Sequence, residues 1–221
     1  MSFDHKAGDW DANPMHVERA EAIAESMRRH AHLTPAMHGF EFGCGTGLLS
    51  FALRDTLGNI TLADTSTGML DVLRGKIAAA GIGNMHPLRI DLLAEAPPTE
   101  RYDVVYSAMT LHHIPDTRAI LAAWHEILID GGTLCIADLD AEDGSFHDAG
   151  DTDVHFGFKR DALQALVEAS GFTDVRFVTA YTVKKQRDGK ARDYPVFLLV
   201  ASTAAACKHL WMRLAARLQG A

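Results

Sequence analysis

Glu41-Phe42-Gly43-Cys44-Gly45-Thr46-Gly47 sets three glycines at alternate positions between an apolar run at 39–42 and another at 48–57. Apolar runs of that length and order read as a strand handing over to a helix. Glycine at such a junction admits positive φ and leaves no Cβ in the way. A ligand can then lie against the backbone and the following helix N-terminus, so the loop reads as a socket. Its spacing departs from the dinucleotide fingerprint G-x-G-x-x-G, whose third glycine would fall where this chain has Leu48.

Working outward, the period of the apolar residues alternates between strand and helix. Helices are expected at 14–30, 48–57, 68–80, 117–129 and 160–170, and strands at 39–42, 60–63, 85–90, 102–108 and 133–137. Two further strands, 175–184 and 195–202, bracket Gln-Arg-Asp-Gly-Lys and read as an edge hairpin. The expected fold is α/β: a doubly wound, mostly parallel seven-stranded sheet with helices on both faces and an antiparallel C-terminal hairpin. Residues 204–221 carry an apolar stripe, Cys207, Leu210, Trp211, Leu214 and Leu218, opposite Lys208, Arg213 and Arg217. That pattern reads as an amphipathic helix that packs on the domain or forms a homodimer.

The 221 residues suit one α/β domain with small additions, and a formal charge of −8 disfavours a sequence-independent grip on nucleic acid. The cysteines Cys44, Cys135 and Cys207 are odd in number and widely spaced, which suits reduced thiols and a cytoplasmic setting. Neither an apolar signal core at the N-terminus nor a membrane-length apolar run is present in the sequence.

The motif (Glu/Asp)-x-Gly-x-Gly-x-Gly after a first strand resembles the S-adenosylmethionine (SAM) loop of class I methyltransferases. The likeness extends over roughly residues 3–202, and the N-terminal segment resembles small-molecule methyltransferases related to the quinone-biosynthesis group. The resemblance implies SAM as cofactor, a small-molecule acceptor methylated at O, N or C, and a division of the chain into a lid and helical segment (1–37), a SAM-binding domain (38–203) and a C-terminal helix (204–221). It assigns Glu41 and the backbone of Gly43, Cys44 and Gly45 to the methionine end, with Ser107 and Ala108 beside it. Asp64, followed by Thr65, takes the ribose hydroxyls, Met69 packs on adenine, and Asp91 with Leu92 reads the adenine edge. Cys44 itself suits a small buried filler.

In Gly-Asp-Trp-Asp, Trp10 either closes over cofactor and acceptor or staples the first helix to the domain, and Arg19 is a second lid candidate. The segment Ser107–Pro115 offers His112 or His113 as general base, since imidazole titrates near neutral pH; both could equally be structural parts of the cofactor loop. Phe146, His147, His155, Phe156 and Phe158 either build an acceptor pocket or anchor a long loop. No metal is expected: the histidines lack ligand spacing, and in the acidic run after Asp138 the glycine, Gly144, falls one place late for a calcium loop. An alternative to catalysis is a SAM-fold protein that binds or regulates without turnover. A nucleic-acid methyltransferase is disfavoured, because Ser107-Ala108-Met109-Thr110 stands where such enzymes carry an Asn-Pro-Pro-Tyr-type tetrapeptide.

Overall fold

The computed structural model describes residues 4–147, 154–187 and 189–205. In chain order its elements are a 3-10 segment (Asp4–Ala12), α1 (Pro14–His30), β1 (His38–Phe42), α2 (Leu48–Leu53), β2 (Asn59–Asp64), α3 (Thr67–Ala80), β3 (Met85–Arg89) and β4 (Tyr102–Ala108). A 3-10 turn (Leu111–His113), α4 (Thr117–Ile127), β5 (Leu128–Leu139), α5 (Arg160–Ala169), β6 (Phe172–Arg187) and β7 (Lys190–Thr203) complete the described chain. The strands form one seven-stranded sheet in the order β3-β2-β1-β4-β5-β7-β6. Neighbours from β3 to β5 run parallel, whereas β7 is antiparallel to both β5 and β6. This is the expected mostly parallel sheet with an antiparallel ending.

Both faces of the sheet are buried, and strand alternation shows how. Cys135, Ala137 and Leu139 of β5 join one apolar cluster with Val196, Leu198 and Val200 of β7, under α1, α2 and α3. The intervening Leu134, Ile136, Phe197, Leu199 and Ala201 join the opposite cluster with Trp124 of α4 and Leu163 of α5. A strand apolar on both faces is characteristic of a sheet sandwiched between helices. Among the described residues no helix is long and apolar enough to cross a membrane.

Local chemistry sets the helix ends. Asn13 accepts from the Met15 N–H with Pro14 at the first helical position, and Ser66 and Asp116 cap α3 and α4 through their side chains. Helix α2 stops at Leu53, short of the expected residue 57, because a tighter turn, Thr56 N–H to Leu53 O at 2.8 Å, returns the chain to the sheet. Likewise α4 ends at Ile127: Leu128 is extended and pairs with Tyr102, so β5 begins before the expected residue 133. The hairpin is longer than expected, laddering from Phe172 opposite Thr203 to Arg187 opposite Lys190. From residue 206 onward the expected C-terminal helix lies outside the described residues.

The Trp124 ring is fully buried and meets Phe42 edge-on at 5.4 Å between centroids, tying α4 to the strand that feeds the glycine loop. Trp124→Ala is expected to lower unfolding free energy by about 3–5 kcal/mol in chemical denaturation, the usual cost of deleting a large buried side chain. A loss under about 1 kcal/mol would contradict the packing described.

Candidate active site

Strand order reverses between β1 and β4, and beyond the carboxyl ends of these strands lies a cavity of about 810 Å³. The glycine loop forms its floor. Asp64 ends β2 and Thr65 follows it, Ile90 and Asp91 follow β3, and Ala108 ends β4 with Met109 and Thr110 after it. Trp10 and the inner face of α1, His16, Arg19, Ala20 and Ile23, form the opposite wall, with His113 and His155 at one side.

The three glycines have different reasons to be glycine. All have positive φ, yet a Cβ on Gly43 would lie 2.3 Å from the Thr110 side chain and one on Gly47 2.6 Å from Leu73. A Cβ on Gly45 would meet nothing nearer than the Met69 sulfur at 3.9 Å. Gly43 and Gly47 are therefore glycine for packing as well as for φ, and Gly45 leaves bare backbone beside open space. The loop is held by β2: Gly43 and Cys44 N–H groups donate to Ala63 O at 2.8 and 3.0 Å, and Gly45 N–H donates to Asp64 Oδ2 at 2.7 Å. Asp64 Oδ1 accepts from Ser66 N–H at 2.8 Å. Burial raises the Asp64 carboxyl above its usual range, while these backbone donors oppose the rise. Burial likewise pushes the Cys44 thiol well up, so it stays protonated and is no nucleophile.

Glu41 is buried and accepts from the Ser50 hydroxyl, whose oxygen lies 2.7 Å from the Tyr106 hydroxyl. Burial is the main reason its carboxyl is pushed up to about 8; the bond from Ser50 opposes this and nearby Asp64 adds to it. A cation entering the cavity would draw the proton off.

The structure separates the two adjacent histidines. His113 lines the cavity, whereas His112 is buried, with Nδ1 2.6 Å from Asp138 Oδ1 and its backbone N–H 3.2 Å from Oδ2. Burial alone would raise Asp138, but His112 and the backbone donors hold it below the usual carboxylate range. His112 thus pins the 3-10 turn that presents His113. Leu92 and Ser107 also stay out of the wall: Leu92 packs in the core, and the Ser107 hydroxyl donates to Phe42 O at 2.9 Å. Trp10, Glu41, Gly43, Cys44, Gly45, Asp64, Thr65, Met69, Asp91 and Ala108 are brought together around the cavity. Of the expected aromatic pocket only His155 reaches it, held by Nε2 to Ile114 O at 2.9 Å; Phe146 packs on Tyr194 and Phe156 is exposed.

Sequence reasoning missed His16 and Met109. His16, Arg19, Ala20 and Ile23 follow helical spacing, but spacing alone does not say which face meets a cavity. Met109 follows β4 at φ +55°, a conformation rare outside glycine, and no sequence signal marks it. Among the described residues no three His, Cys, Asp or Glu side chains converge to hold a metal.

The N-terminal 3-10 segment brings Trp10 to the cavity and is tied down on either side of it. Asp4 Oδ1 accepts from Ser66 Oγ at 2.6 Å and from Gly68 N–H at 2.8 Å. Asp11 accepts from Thr46 Oγ1 and pairs with Lys76 Nζ, both at 2.5 Å, and Lys76 also donates to Thr46 O at 2.8 Å. Between these anchors the Trp10 ring rests 4.3 Å from that of His16.

Residues 40–134 match the family model described as a methyltransferase domain. The ubiquinone biosynthesis O-methyltransferase of Xanthomonas campestris pv. campestris is 29% identical over 143 residues, 62% of this chain and 58% of that protein. The chain spans about half the length of other curated methyltransferases it matches. In fold it resembles the methyltransferase solved with the Haloferax volcanii Trm112 methyltransferase activator (TM-score 0.71, 17% identity, 92% of this chain and 98% of that one). It also resembles the [4+2]-cyclase SpnF (TM-score 0.68, 14% identity, 84% and 81%). Residues 40–134 are thus similar in sequence to a methyltransferase domain, and the fold as a whole is similar to that of solved methyltransferases.

The Glu41 carboxyl binds its proton more tightly in the folded chain, to about 8, than at its ordinary 4.5. Its stabilising contribution is therefore complete below the lower value and lost as pH rises through the upper one. Relative to Glu41→Gln, the wild type should lose on the order of a few kcal/mol of unfolding free energy between about pH 5 and pH 8, measured by urea denaturation across pH. A pH-independent difference would contradict the protonated, buried carboxyl.

Proposed function

We propose that this chain, which carries a methyltransferase domain over residues 40–134, binds SAM in the cavity and transfers its methyl group to an O, N or C atom of a small molecule. The observation that carries the reading is the Gly45–Asp64 unit: bare backbone at the cavity floor, clamped by a carboxylate that also faces the cavity. The residues fit the cofactor by charge as well as shape. SAM bears a sulfonium, an ammonium and one carboxylate, and the cavity wall offers the carboxyl groups of Glu41, Asp64 and Asp91 to the two cationic groups.

In this reading Asp64 accepts the ribose hydroxyls through the lone pairs left after Gly45 and Ser66. Met69 packs against adenine, Asp91 reads its edge, and Glu41 receives the ammonium at the methionine end. When bound, the cofactor supplies a methyl group activated by the adjacent sulfonium. The chain's own part is to hold the acceptor in line, strip its water and take up a proton where the acceptor has one to lose. His113 is the residue we assign to that proton, because it reaches the cavity on a turn fixed by the His112–Asp138 pair. The 3-10 segment acts as the lid, with Trp10 excluding water.

The likeness to SpnF favours a second reading, because a protein named for a cyclisation shares this fold. Cofactor binding without methyl transfer is therefore the alternative, and one experiment separates the two. S-adenosylhomocysteine should bind in isothermal titration, and Asp64→Ala should weaken it about 10- to 100-fold, the usual loss for charged hydrogen bonds. Incubation with SAM and an acceptor library should then give products heavier by one CH2; tight binding with no product across the library would support the alternative. Absence of binding would sink both.

The lid makes its own prediction. Asp11→Ala removes the pair with Lys76 and the bond from Thr46, so S-adenosylhomocysteine should dissociate about 3- to 10-fold faster in stopped flow, as expected for a part-buried ion pair. An unchanged dissociation rate would mean that the segment does not gate the cavity.

A further inference from the structure

Arg19 stands apart from every other charged group around the cavity. It is the one lysine or arginine among the described residues of the wall, on the α1 stripe that also presents His16, Ala20 and Ile23. Among the described residues its guanidinium has neither an ion pair nor a hydrogen bond, although burial strips it of water and draws its pKa down. The carboxylate that acts on it, Asp138, does so without forming an ion pair with it. Asp138 is already engaged by His112 Nδ1 and by the backbone N–H groups of His112 and Leu139. A desolvated guanidinium without a partner is costly, and an anion in the cavity would remove that cost.

Which anion follows from where Arg19 sits. Glu41 stands on β1, Asp64 ends β2 and Asp91 follows β3, while Asp138, the carboxylate that acts on Arg19, lies near the end of β5 on the other side of β4. The carboxyl groups that suit the cofactor's cationic groups thus stand on β1, at the end of β2 and after β3, and the guanidinium answers to the β5 side of the sheet. We infer that Arg19 is the receptor for an anionic group, a carboxylate or phosphate, carried by the methyl acceptor. The inference rests on the cofactor reading above for the word acceptor, but not for the anion site itself. A planar guanidinium suits either group because it can donate two parallel N–H bonds.

The test titrates benzoate and inorganic phosphate into protein loaded with S-adenosylhomocysteine, for the wild type, Arg19→Gln and Arg19→Lys. At least one anion should bind the wild type, about 10- to 100-fold more weakly to Arg19→Gln, with Arg19→Lys between, while S-adenosylhomocysteine affinity stays within about twofold. A hydroxybenzoate should also be a better methyl acceptor than its methyl ester, and Arg19→Gln should erase that preference. If Arg19→Gln instead weakens S-adenosylhomocysteine tenfold but leaves methylthioadenosine, which lacks the amino-acid carboxylate, unaffected, the anion belongs to the cofactor and the assignment is overturned. Equal anion binding by wild type and Arg19→Gln, or none by either, overturns it too. Should S-adenosylhomocysteine itself fail to bind, the cofactor reading falls alone: anion binding lost in Arg19→Gln would still establish the site.

Discussion

The hydrogen bond from Gly45 N–H to Asp64 Oδ2, at 2.7 Å, is the contact on which the site depends. Between β1 and α2 the chain turns through left-handed conformations at Gly43, Gly45 and Gly47, and such a turn needs external support to hold one shape. Strand β2 provides it twice, through Ala63 O and through the Asp64 carboxylate. The parallel register of β1 and β2, with Phe42 beside Ala63, brings the loop and its support to the same height. A residue that fixes the floor of the cavity is in this way also one that faces into it.

Around that floor the charges are sorted. The carboxyl groups of Glu41, Asp64 and Asp91 line one part of the wall, and Arg19 with His16 lines the face of α1. The buried Asp138–His112 pair keeps a further charge inside the protein while fixing the turn next to the cavity. The N-terminal segment is held beside this arrangement through Asp4 and Asp11, each of which answers a donor on the α2 or α3 side. Fold and electrostatics therefore meet at the carboxyl ends of the central strands, where doubly wound sheets carry ligands.

The parts legible in the sequence were those written in local periods. The glycine spacing, the strand–helix alternation and Tyr102–Ala108 as a strand follow from side-chain period and backbone sterics alone. What was not legible depends on residues distant in the chain. Nothing local distinguishes His112 from His113; Asp138, 26 residues on, turns one inward and leaves the other at the cavity. Leu92 and Ser107 sit beside the right strand ends, yet which way their side chains point is set by the core and by Phe42 O. The contacts of Asp4 and Asp11 span more than 30 residues, and no pattern announces them.

The central claim is that this cavity holds the cofactor in the orientation set by the Gly45–Asp64 unit, and a crystal structure with S-adenosylhomocysteine tests it most directly. The account predicts ribose hydroxyls on the Asp64 carboxylate, adenine against Met69 and the amino-acid end beside Glu41 and Gly43. A nucleoside bound elsewhere, or bound with Asp64 turned away from the ribose, would contradict it.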